Sequence, residues 1–143
     1  METKMKIQVT PMHQKPIENY RQIIVSDNFI NFSDLSDNEC TEILAADVLD
    51  FFSFDKIAFC LESLVKKLRL NGTMVIGGKD IRLFSKAILH GAINEADGSR
   101  IVNEIQSMSS LNTVRPVLEH LGLEILSTQI LGIHFEIKAK RGA

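Results

Sequence analysis

Asp47 and Asp50 stand three residues apart in AADVLDFF (45–52). Two carboxylates behind an apolar run could pair as acid and base. A solvated strand-to-helix loop is the plainer account, because no histidine or lysine lies close by in sequence to tune their ionisation. The second place of interest is KIQVTPMHQKPIENY (6–20), where Ile7 and Val9 alternate with Lys6, Gln8 and Thr10 before the chain turns at Thr10, Pro11 and Met12. That alternation predicts a strand. Gly77 and Gly78 are a third, and would let a ligand or a partner's backbone approach closely, or simply form a strand-to-helix turn.

These residues need elements to hold them. RQIIVSD (21–27) reads as a second strand ended by Asp27 and Asn28, FINFSDL (29–35) as a third, and TEILAADVL (41–49) as a buried strand with helix as its rival. The cluster Ser33, Asp34, Ser36, Asp37 and Asn38 is a loop by composition. Ser53 is placed to cap a helix over FDKIAFCLESLVKKLRL, with Ile57, Leu61, Leu64, Val65 and Leu68 on one face and Asn71 and Gly72 as its end. TMVIGG (73–78) resumes as a buried strand.

Asp80 is expected to cap a helix carrying Ile81, Phe84, Ala87 and Ile88. A mobile GAINEADGS (91–99) should then lead into a third helix with Ile101, Val102, Ile105 and Met108. Asn112 is expected to cap a fourth, with Pro116 in its first turn and Gly122 at its close. Two final strands, around Leu123 and Ile125 and around Ile133, Phe135 and Ile137, should pair antiparallel. The prediction is a single α/β domain over 1–143: a mostly parallel sheet with helices on its faces and a C-terminal antiparallel hairpin. Ligands in such sheets lie at the carboxyl ends of the strands, which groups Thr10 to Met12, Asp27, Asp34, Asp47 to Asp50 and Gly77 to Asp80.

Composition excludes several classes. A formal charge of −2 gives no global basic field for nucleic acid or an anionic membrane. Lys66, Lys67 and Arg69, with Lys138, Lys140 and Arg141, lack interleaved aromatics, so stacking on single strands is unsupported. His13, His90, His120 and His134 show no metal-ligand spacing, so no metal is expected. His120, near a helix end, is explained by the dipole. Phosphate-loop and serine-elbow motifs do not occur. Cys40 and Cys60 read as buried thiols in a reducing compartment. METKMKIQVT lacks the apolar run of a signal peptide, and no segment suggests a membrane span, so the expected location is cytoplasmic.

TEILAADVLDFFSFDKIAFCLESLVKKLRLNGTMVIGGKDIRLF (41–84) resembles the back half of a class I S-adenosylmethionine-dependent methyltransferase, closest to the compact, type 11 branch. The matching residues are Val48, Leu49, Asp50, Phe51 and Phe52, then Leu68, Arg69, Leu70, Asn71, Gly72 and Thr73. VRPVLEHLGLEILSTQILGIHFEIKAKR (114–141) is similar to that family's last helix and hairpin. The resemblance implies a Rossmann-like methyltransferase fold and places the family's cofactor glycines on Thr10, Met12 and Asn19. It places the ribose carboxylate near Ile24, with Asp27 as substitute if the strand slips, and the adenine-side residues on Asp34 and Leu35.

No glycine precedes Gly72, and Pro11 removes an N–H, so the cofactor site reads as degraded. The expected function is then a binding, scaffolding or assembly module with no cofactor, working with a protein partner or by self-association. The alternative is an active S-adenosylmethionine-dependent methyltransferase acting on a sugar, lipid or small metabolite. A third reading is an inactive subunit that completes a partner's site.

Overall fold

Ile7 and Val9, Ile23 and Val25, and Ile43 and Ala45 alternate along three neighbouring strands, and all six are buried. The period of two puts them on one face, so that face becomes the core. In the computed structural model, which describes residues 4–12 and 14–142, seven strands form one sheet in the order β3-β2-β1-β4-β5-β7-β6. They are β1 (Met5–Thr10), β2 (Arg21–Ser26), β3 (Phe29–Ile30), β4 (Cys40–Ala45), β5 (Leu68–Lys79), β6 (Leu123–Leu131) and β7 (His134–Arg141). The pairs β1–β2, β1–β4 and β4–β5 are parallel, whereas β7 runs antiparallel to both β5 and β6. This is the expected Rossmann-like architecture with its C-terminal hairpin.

The helices are α1 (Ile57–Lys67), α2 (Ile81–Leu89), α3 (Glu95–Glu104) and α4 (Leu111–His120). Ile57, Leu61, Leu64 and Val65 of α1, with Val114 and Leu118 of α4, join the core against the sheet. α2 buries none of its side chains fully and packs instead on α3, where a Cβ on Gly98 would lie 2.5 Å from Ile88 Cδ1.

Several boundaries differ from expectation for local reasons. β3 has two residues rather than seven, because the chain leaves it to return to the start of β4. β4 stops at Ala45, and Val48–Phe51 forms a 3-10 turn. Ser53 does not cap α1. Its N–H and hydroxyl both donate to Asn28 Oδ1, at 2.7 and 3.2 Å, and Lys56 holds the cap position. The helix ends at Lys67, not at Asn71 and Gly72: Leu68 is already extended and pairs with Cys40. Asn71, with φ 68°, makes its turn inside an irregular stretch of β5.

Residues 91–99, expected to be mobile, contain the start of α3, capped by Asn94, whose side chain accepts from Asp97 N–H. Ser110 rather than Asn112 caps α4, and Pro116 is its sixth residue. There the missing donor falls on an exposed face, where water can serve the carbonyl left without it. Met1 to Thr3, His13 and Ala143 lie outside the described residues.

β1 reaches β2 with no helix between them among the described residues 11, 12 and 14–20. Parallel neighbours usually need a helical crossover of a dozen residues or more. Side chains of the sheet replace it. Gln8 Oε1 accepts from Ile17 N–H at 2.9 Å and its Nε2 donates to the Lys15 carbonyl at 3.4 Å. Gln22 Nε2 donates to the Gln14 carbonyl at 2.9 Å and to Thr10 Oγ1 at 2.8 Å. Asn19, with φ 70°, makes the final bend in a conformation that favours glycine, and Tyr20 then donates to Glu42 Oε1 at 2.5 Å. That bond to a carboxylate, with burial adding to it, pushes the phenol up to about 12.

Candidate functional site at the carboxyl ends of the strands

The sheet reverses its direction of winding between β1 and β4, so the crevice above these two strands is where a ligand of such a fold belongs. Thr10 ends β1 there. It is buried, and its hydroxyl is engaged by Gln22. Met12, beyond Pro11, is 80% exposed. The Pro11 carbonyl accepts from Gln14 N–H at 3.1 Å, and among the described residues no helix N-terminus follows before β2 to offer free N–H groups.

The chain itself bridges this crevice. Asn28, following β2, donates its N–H to the Phe51 carbonyl beyond β4 at 2.6 Å, and its side-chain oxygen takes both donors of Ser53. Asp27, in the same turn, is exposed. Asn28 holds φ 59°.

Asp47 and Asp50 have different surroundings despite their spacing. Asp50 is 4% exposed, and its two oxygens accept from Lys79 N–H and Lys79 Nζ, both at 2.8 Å. Its backbone carbonyl accepts from Gln106 N–H at 2.8 Å, which ties the segment after α3 to the same turn. A Cβ on Gly78 would lie 3.0 Å from Leu49 Cβ and 3.1 Å from Asp50 Oδ1. One on Gly77 would lie 2.6 Å from the Ala46 carbonyl. Both glycines sit within β5 and admit the protein's own turn. Asp80 caps α2 through Arg82 and Leu83 N–H, and its other oxygen accepts from Leu111 N–H at the start of α4.

Asp47 is more open, with Oδ1 3.5 Å from His134 Nδ1, while His134 Nε2 is 3.6 Å from Glu136 Oε2. Sequence spacing gave no hint of His134 or Glu136 as neighbours of Asp47, because β7 enters the sheet next to β5 from 87 residues further along the chain.

Asp34 and Leu35 are not brought to this crevice. Asp34 Oδ2 is 3.2 Å from Arg21 Nη2 at the start of β2, and the Leu35 carbonyl accepts from Lys67 Nζ at the end of α1. Both contacts lie at the amino ends of the strands. Among the described residues no group of three or more His, Cys, Asp or Glu is placed to hold a metal ion, and no helix is long and apolar enough to cross a membrane.

The same arrangement of strands recurs in solved structures. An S-adenosylmethionine-dependent methyltransferase from Mesorhizobium loti superposes with a TM-score of 0.64 at 9% identity, covering 95% of this chain and 80% of that one. This chain has the class I S-adenosylmethionine-dependent methyltransferase fold. A methyltransferase from Archaeoglobus fulgidus matches at TM-score 0.61 and 11% identity, over 82% of this chain and 67% of that chain. A chain from the complex between the Haloferax volcanii Trm112 methyltransferase activator and the putative methyltransferase matches at TM-score 0.60 and 7% identity, over 90% and 64%. The chain spans less than two thirds of the length of several other such structures. No protein-family model and no curated protein matches it.

Proposed function

We propose that this methyltransferase-fold chain has no working S-adenosylmethionine site of its own and acts in the cytoplasm as a binding, scaffolding or assembly module for a protein partner. The observation that carries this reading is the bridge from Asn28 to Phe51 and Ser53 across the end of β1. A nucleoside bearing an amino-acid tail needs that space and a set of free donors beside it. Here the Thr10 hydroxyl is committed to Gln22, Pro11 has no N–H, and among the described residues the connection to β2 offers no helix N-terminus. The residues do not fit the cofactor, and no step is assigned to it.

A protein partner is supported by the likeness to a chain from a methyltransferase–activator complex. Thermal unfolding with and without S-adenosylmethionine tests the reading. A ligand present at about 100 times its Kd would add roughly 2.7 kcal/mol and raise Tm by about 8 °C in a domain of this size. No shift is expected at millimolar cofactor. A shift of that size would favour the active methyltransferase.

A further inference from the structure

Beside β3, at one edge of the sheet, the β2–β3 turn and α1 enclose a cavity of ≈ 250 Å³ whose walls include Phe29, Phe32, Phe52 and Phe59. Phe29 is 58% and Phe59 67% exposed. Large rings bordering a cavity and left in water gain free energy when covered, at about 25 cal/mol per Å² of apolar surface. The volume lies below the roughly 300 Å³ at which small-molecule pockets begin, which suits one large side chain rather than a metabolite.

The charges around it are unbalanced. Asp27 adjoins Asn28, which lines the cavity, and Asp55 precedes Phe59 by four residues. Both are exposed, and neither carboxylate has an ion-pair partner among the described residues. Glu62, Asp34 and Asp37 are already matched to Lys66, Arg21 and Lys67. Against the two free carboxylates, Lys56 is the nearby cation without a partner among the described residues. Taken together, Asp27, Asp55 and Lys56 leave one negative charge in excess. Phe32 already carries a cation, with Lys67 Nζ 5.6 Å from its ring centroid.

We infer that this cavity receives one large apolar side chain from a short amphipathic helix of a partner protein, whose Lys or Arg lies beside Asp27 and Asp55. The inference deepens the partner-binding reading and rests on it, but its test involves no S-adenosylmethionine, so the two can fail separately.

The probes are two fluorescent synthetic peptides of about 15 residues with leucines at helical spacing, one with lysine and one with glutamate at its polar positions. Anisotropy with the whole chain should show saturable binding of the lysine peptide, at least ~10-fold tighter than the glutamate peptide. Phe59→Ser should weaken that binding at least ~10-fold, and Asp27→Asn with Asp55→Asn should weaken it and flatten its salt dependence. Phe59 is exposed, and circular dichroism of the variant checks that the fold is kept. Equal binding of the two peptides, or binding indifferent to Phe59→Ser, would overturn the inference. So would a wild-type dimer that Phe59→Ser dissociates, since a second copy would then cover the cavity.

Discussion

Asp50 and Lys79 meet twice, the carboxylate accepting the lysine's own backbone N–H through one oxygen and its ammonium through the other, both at 2.8 Å. The carboxylate is buried and the ammonium partly so. The pair fastens the turn after β4 to the end of β5 and removes Asp50 from the stock of free acids at the crevice.

Replacing Asp50 by Asn keeps the shape and deletes the charge. A hydrogen-bonded buried carboxylate lost in this way is expected to cost about 2–3 kcal/mol, discounted from a fully buried pair because Lys79 still reaches water. Urea unfolding of Asp50→Asn measures it. A loss under ~0.5 kcal/mol would place the pair with surface salt bridges instead.

Asn28→Gly tests the bridge over the crevice. Glycine keeps the positive φ and the N–H bond to Phe51 but removes the oxygen that Ser53 uses. A loss of about 1.4 kcal/mol in local stability should speed exchange of the Ser53 amide roughly tenfold. Unchanged protection would mean that the side chain contributes nothing to closing the crevice.

The two thiols give a prediction with a sign. Burial pushes Cys40 up to about 11, with Glu39 adding to it, and burial alone pushes Cys60 up to about 12. Each folded value lies above the ordinary 9.0, so the unfolded chain releases these protons first as pH rises. The stability linked to neutral thiols is therefore complete below pH 9.0 and is lost as pH climbs through the folded values of about 11 and 12, with Tyr20 adding loss in the same direction above 10.0. A thiol reagent at about pH 8 should label neither cysteine in the native protein and both in urea. Rapid native labelling, or stability that rises above pH 9.0, would contradict this account.

Much of the fold is legible in the chain because its strands alternate cleanly. Ile7 with Val9 and Ile23 with Val25 mark β1 and β2, and the buried residues of α1 fall at helical spacing from Ile57 to Val65. Leu68 shows why boundaries escape. It continues the helical period from Leu64, yet it is buried as a strand residue opposite Cys40, and spacing cannot separate the two.

The site was less legible. Gln8 and Gln22 occupy positions that alternation assigns to water, but Gln8 is buried and both hold the connection that replaces a helix. Asp34 falls in the loop after β3, and only the path of the chain decides that this loop returns to the amino ends of the strands. His134 reaches Asp47 through the order of β5 and β7, a long-range pairing that no local pattern records.

Equilibrium dialysis of the purified chain against labelled S-adenosylmethionine at ~1 mM bears most directly on whether the crevice above β1 admits the cofactor. Label should remain equal on the two sides of the membrane, for wild type and for Asn28→Gly alike. One equivalent of label retained per wild-type chain would contradict the account, because a crevice spanned by Asn28, Phe51 and Ser53 could not then be closed to the ligand.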